Sequence, residues 1–239
     1  NGVAVDPGRV ADSPTRRDMC NESFDFFSLP SVFNATRLMN STPSQFFIEA
    51  FAGSAVFTIA VLMNGIPCLC PWEITLGARF DVVENMHQLL FAIHVGLIAA
   101  MHLGTPCTSF TRARTPQLRS ARLPMGLSGL PARMQAMVDQ GNTLALVSCQ
   151  LCVALLENEA FFSLENPEHS VLWMLPQVLV VFDLPGVASV FLKYAAYGTL
   201  YLKPTIILHN LPTLHALAKP LPLERGPTVE LRGWVMFEG

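Results

Sequence analysis

The chain has 239 residues, and since one domain takes roughly 100 to 200, it holds one large domain or one domain with an appendage. Hydrophobic residues make up 51% and charged residues only 14%, which supplies a core and excludes wholesale disorder. The formal charge of -3 excludes a strongly basic nucleic-acid packaging protein, so any nucleic-acid contact must come from a local patch.

Residues 1–44 mix Pro7, Pro14, Pro30 and Pro43 with Ser, Thr, Asp and Arg and lack a sustained period, so they read as a tail or linker. Phe24, Phe26, Phe27 and Phe33 are candidates to pin part of it down, and the chain opens on Asn1 rather than Met, as a fragment would. Glycosylation-type triplets begin at Asn21, Asn34 and Asn40, but no secretory signal precedes them. From Phe46 the texture becomes short apolar runs ending in glycine or proline, alternating with longer mixed segments. That alternation predicts an α/β fold, a doubly wound, mostly parallel sheet with helices on both faces. Strands are expected at residues 46–52, 66–74, 97–103, 161–165, 187–194 and 205–209. Helices are expected at 55–64, 82–93, 131–138, 143–158 and 169–177. The main domain is then 45–210, followed by a C-terminal extension over 211–239.

The longest apolar runs, Ala50 to Met63 and Leu89 to Leu103, have 14 and 15 residues, short of the roughly 20 that cross a membrane. Both read as buried elements, leaving a membrane-associated protein as the minor alternative. Six cysteines in a chain of this length do not make a secreted disulfide scaffold, which points to a reducing intracellular compartment, nucleus or cytoplasm. The pairs Cys68/Cys70 and Cys149/Cys152 read as buried structural thiols ahead of two halves of a zinc site, so no metal is expected.

In doubly wound sheets ligands bind at the carboxyl ends of the strands. The first strand ends in Phe51-Ala52-Gly53-Ser54-Ala55, a tight turn into a helix where glycine lets the backbone approach a ligand. Glu73-Ile74 follows about 20 residues on, where nucleotide-binding folds place an acid for ribose hydroxyls. Together they favour a cofactor carrying a nucleoside. A third strand leads into Gly104-Thr105-Pro106-Cys107, so a cysteine faces the cleft, with Arg112 and Arg114 near enough in sequence to favour its thiolate. Another strand ends in Glu165-Asn166-Pro167, a carboxylate placed for acid catalysis or a helix-initiating turn. Between Asn85 and Val138 no acid occurs, while Arg112, Arg114, Arg119, Arg122 and Arg133 do. That fits a mobile loop gripping phosphates, or an ordinary solvated loop.

In this order the pieces resemble the DNA (cytosine-5)-methyltransferases, within the S-adenosylmethionine-dependent methyltransferases. Phe46 to Ala55 resembles that family's first motif, Gly104 to Phe110 its Pro-Cys loop, Glu165-Asn166 its Glu-Asn motif, and Tyr197-Gly198 with Lys203 its Tyr-Gly segment leading to an arginine-bearing motif. Gly141-Asn142 is similar to the closing motif but lies out of order, and is set aside. The resemblance implies S-adenosyl-L-methionine held by Phe51, Ala52, Gly53, Ser54, Glu73 and Ile74. It implies DNA as partner, with RNA open, contacted through Arg112, Arg114, Arg119 and Arg122. It also implies catalysis by Cys107, presented by Pro106, with Glu165, Asn166 and Lys203 around the base. Ala55 stands where a second glycine is usual, Pro167 where valine is, and Lys203 where arginine is. Those departures and the short C-terminus keep open a second reading, a decayed, non-catalytic nucleic-acid-binding module.

Overall fold

The computed structural model describes residues 45–74 and 82–221, so the expected tail, its phenylalanines, Cys20 and the last part of the extension lie outside the described residues. The chain runs β1 (Phe46–Ala50), α1 (Val56–Met63), α2 (Met86–His94), β2 (Ile98–Leu103), α3 (Ala132–Glu157), β3 (Phe161–Pro167), α4 (Pro176–Phe182), β4 (Ala188–Lys193) and β5 (Pro204–His209). The strands form one sheet in the order β1-β2-β3-β5-β4. β1 pairs parallel with β2 and β2 with β3, while β5 runs antiparallel to both β3 and β4. The fold is therefore a mixed, mostly parallel α/β sheet of the Rossmann-like kind, with one reversed strand inserted near its edge.

Successive side chains on a strand face opposite sides, and the two sides are covered differently. Ile48 and Ala50 of β1, Met101 and Leu103 of β2, and Phe162 and Leu164 of β3 join one large core with Leu89, Ile93, Leu151, Leu155 and Val178 of α2, α3 and α4. On the other face, Phe47 packs edge-on against Phe57 of α1, with centroids 5.2 Å apart, and Phe57 packs against His102 of β2 at 4.8 Å.

Three sequence expectations change. Residues 66–74 bridge β1 only at Cys68 and Trp72, because Pro67 and Pro71 lack the amide donors of a continuous ladder. The helices expected at 131–138 and 143–158 are one helix of 26 residues, running unbroken through Gly141-Asn142. The helix expected at 169–177 is a 3-10 turn over Val171–Met174 followed by α4. Leu175 is extended between them, as a residue before proline tends to be. Among the described residues no helix is long and apolar enough to cross a membrane.

Glu49 ties β1 to α1. Its buried carboxylate accepts from the Thr58 backbone N–H at 2.7 Å and hydroxyl at 2.6 Å, occupying one of the free donors of the first helical turn. Burial raises its pKa above the ordinary carboxylate value, outweighing the Thr58 bonds that lower it. A raised folded-state value means the stabilising form is the protonated one. The contribution is complete below the unfolded value of about 4.3 and fades as pH rises through the folded one. Glu49→Gln keeps the acceptor without the desolvated charge. It is expected to preserve stability at pH 7 and flatten the decline above pH 4 in denaturant titrations. Glu49→Ala, which strands the Thr58 donors, is expected to cost about 1–3 kcal/mol.

Candidate active site

The turn out of β1 uses three residues in the left-handed region, Phe51 (φ 59°), Gly53 (φ 53°) and Ala55 (φ 55°). Only glycine adopts that conformation without strain. Ala55, in the place of the second glycine, is fully buried, and its methyl packs with Ala52, Ile59 and Leu62. The bend brings Gly53 N–H to Glu73 Oε2 at 2.8 Å, so the carboxylate 20 residues on meets the turn directly. Trp72 fixes its neighbour's position, donating to Glu49 O and accepting from Phe51 N–H.

The loop after β2 passes against this turn. A Cβ on Gly104 would lie 3.0 Å from the Phe51 carbonyl oxygen, so glycine permits the approach. Between the two loops and α3 lies a cavity of about 310 Å³. Phe51, Trp72, Glu73, Ile74 and Val82 line one side, Pro106, Thr108 and Ser109 another, and Met137, Gln140, Gly141 and Leu144 of α3 the third. Of the residues expected to hold a cofactor, Phe51, Glu73 and Ile74 line this cavity. Ala52, Gly53 and Ser54 are not part of its lining, and Gly53 acts through Glu73. The α3 wall was missed by sequence reasoning, although Gly141-Asn142 carried its signal.

The two residues on either side of Cys107 are anchored. Thr105 exchanges a hydroxyl hydrogen bond with Ser148 of α3 at 2.8 Å, and its carbonyl accepts from Asn166 Nδ2 at 2.7 Å. The Cys107 carbonyl accepts from Phe110 and Thr111, making a turn, and the Phe110 carbonyl accepts from Val171 beyond β3. The Cys107 loop and the Glu165-Asn166 strand end are therefore one hydrogen-bonded unit.

Glu165 and Lys203 pair at 3.2 Å, and the Lys203 ammonium lies 4.3 Å over the Tyr194 ring. Lys203 holds a φ of 31°, strain of the kind that gathers at functional sites. Burial pulls the ammonium down, but Glu165 and Tyr194 outweigh it and leave Lys203 above its ordinary value, hence charged. Both charges act on Cys107, whose thiol is pushed up, first by burial and then by Glu165, against the backbone and Lys203. The expectation that Arg112 and Arg114 favour the thiolate is thus replaced, since Lys203 is the cation acting there. Beneath this cluster His102 Nδ1 lies 2.8 Å from Ser163 Oγ, and burial with Lys203 lowers His102 to about 4, so it is neutral at pH 7.

The arginines divide. Arg112 and Arg122 are exposed, Arg112 with Nη2 4.0 Å from Met174 Sδ. Arg114 is half-buried, with Nη2 3.6 Å from Met137 Sδ on the cavity wall. Arg119 is only 3% exposed and turned inward, so the expectation that it grips phosphate is corrected. Its donors are all used inside the fold, and the loop expected to be mobile is pinned by it. Cys149 and Cys152 are buried free thiols of α3, and among the described residues no group of three or more His, Cys, Asp or Glu is placed to hold a metal.

No protein-family model matches the chain, and no curated protein matches it in sequence. Solved structures do match: one is a mutant of DNMT2 from Spodoptera frugiperda, at 13% identity and a TM-score of 0.38. The match covers 79% of this chain and 55% of that one, so the chain spans about half of its length.

Proposed function

We propose that this domain transfers a methyl group from S-adenosyl-L-methionine to C5 of cytosine in DNA, through a covalent bond to Cys107. The observation that carries the reading is the gathering of Cys107, Glu165 and Lys203 beside a cavity walled by Phe51 and Glu73. The cavity's volume is at the lower end for a small-molecule site, and its aromatic and apolar walls with one carboxylate suit a nucleoside. Glu73 would accept from the ribose hydroxyls, and Phe51, Trp72, Val82 and Leu144 would enclose the purine.

The cofactor supplies an electrophilic methyl group, and the rest falls to the chain's own residues. Cys107 attacks C6 of the base, and the electron pair released to C5 makes that carbon nucleophilic enough to take the methyl. The C5 proton then leaves to solvent, the C6–S bond breaks, and the thiolate is restored. Lys203 and Glu165 form a donor and acceptor pair for the base edge, the ammonium toward ring nitrogen or carbonyl, the carboxylate toward the exocyclic amine. The base must leave its stack to reach them, and Arg112, Arg114 and Arg122 are the cations offered to flanking phosphates.

The test is calorimetric titration of S-adenosyl-L-methionine into the full chain. Saturable binding is expected, weakened roughly ten- to a hundredfold by Glu73→Ala, the loss of one charged hydrogen-bond acceptor. Absence of binding to folded protein, or affinity untouched by Glu73→Ala, contradicts the reading. A non-catalytic nucleic-acid-binding module is favoured by one observation, the Cys107 thiol raised by burial rather than poised as thiolate.

A further inference from the structure

We propose that Arg119 is the positioning residue of the Cys107 loop, a buried clamp that fixes the thiol's approach through Ser109 and Phe110. The inference rests on the reading of Cys107 as the nucleophile. A guanidinium has five N–H donors in a fixed fork, and Arg119 makes five hydrogen bonds. Nε donates to the Ser109 carbonyl at 3.2 Å. Nη1 donates to Pro124 O at 2.7 Å and Asn142 Oδ1 at 2.6 Å, and Nη2 to Ser109 Oγ at 3.1 Å and Val138 O at 2.8 Å. Its central carbon, Cζ, lies 4.0 Å from the centroid of the Phe110 ring, which is itself fully buried.

These contacts join three separate places in the chain: the residues just after Cys107, the Pro124 turn, and the N-terminal half of α3. Every hydrogen-bond acceptor is neutral, and Asp139, the carboxylate that acts on this buried charge, does so without being one of its hydrogen-bond partners. Such an arrangement is weak as a source of stability and strong as a source of unique geometry, because no other side chain fills the same five positions. Gly141 is the counterpart, since a Cβ there would lie 2.8 Å from Arg119 Nη2. With Asn166 holding Thr105 on the upstream side, Arg119 closes the downstream side, and Cys107 is suspended between two anchors two residues away in each direction.

The experiment is site-resolved alkylation by iodoacetamide on the full chain, read by mass spectrometry. Arg119→Ala is expected to raise the Cys107 rate roughly tenfold by freeing the loop, while Cys149 and Cys152, buried in α3, stay protected and report that the fold is intact. Millimolar guanidinium should return Cys107 to within about twofold of the original rate by refilling the fork, and ammonium should not. A wholly structural role predicts that all three cysteines rise together without such rescue. Should Arg119→Ala not fold, Asn142→Ala removes one acceptor and is expected to shift Cys107 alone in the same direction. An unchanged Cys107 rate in the variant that folds, or a rise shared with Cys149 and Cys152, overturns the proposal. Alkylation needs neither cofactor nor nucleic acid, so a failure of methyl transfer would strike the proposed function and leave this result standing.

Discussion

Gly141→Ala is expected to destabilise the fold by about 1–3 kcal/mol, the reverse of what the change does in an ordinary helix. In mid-helix, alanine is normally preferred to glycine by about 1 kcal/mol, because glycine gives up more backbone freedom. Here the added methyl would collide with Ser109 Oγ and come within 2.8 Å of Arg119 Nη2 and 3.3 Å of Phe110 Cε2. Ser109 can rotate away only by abandoning its bond to Arg119, and Arg119 can retreat only by giving up Val138. Either response unlocks the loop that carries Cys107. Denaturant unfolding should show the loss, and for a chain of this size each kcal/mol lowers the melting midpoint by roughly 2–4 °C. Unchanged or increased stability would mean that the close approach of α3 to Arg119 is not a constraint.

The second large effect concerns Cys107, the proposed nucleophile. Cys107→Ser should lower methyl transfer by roughly 10³-fold or more, about 4 kcal/mol in the barrier, because a serine hydroxyl in the same place has no accessible anion. The wild-type rate should itself depend on pH. Burial and Glu165 raise the thiol above its ordinary value, so at neutral pH the thiolate is a minority. The fraction grows about tenfold per pH unit until the raised midpoint above 9.0 is reached. Lys203, charged across this range, opposes that rise and is the group to remove if the profile is to be moved further up. A flat profile between pH 7 and 9 would show that thiolate formation does not limit the reaction.

The strands were legible in the sequence because each is a short apolar run closed by a small residue or proline, and five of six were placed within a few residues. The sixth, at 66–74, was apolar enough but is interrupted by Pro67 and Pro71, which the hydropathy of the run conceals. The reversal of β5 was not legible, since strand direction is decided by the turn at Tyr194–Tyr197 and Gly198, not by composition.

At the site, spacing alone singled out Glu73 as the acid about 20 residues beyond the β1 turn, while its hydrogen bond to Gly53 N–H was not part of that reading. What sequence reasoning missed follows from side-chain direction. Gly141-Asn142, in the gap between the helices expected at 131–138 and 143–158, lies inside one continuous helix, and its glycine makes room for the neighbouring Ser109 and Arg119 side chains. Arg119 looked like a phosphate contact because a sequence shows charge without orientation. The α3 wall of the cavity, with Met137 and Leu144, was hidden for the same reason: one helix face serves the core and the adjacent one the cleft.

A covalent bond from Cys107 to a cytosine during methyl transfer can be trapped and read directly. The full chain is incubated with S-adenosyl-L-methionine and duplex DNA carrying 5-fluorocytosine, whose C5 fluorine blocks the final elimination, and the product is weighed intact and mapped. The expected product is a denaturation-resistant adduct whose mass includes protein, DNA strand and one methyl group, attached at Cys107 and absent in Cys107→Ser. Folded protein that binds the cofactor and this DNA yet yields no adduct, or an adduct mapped to another cysteine, would contradict it.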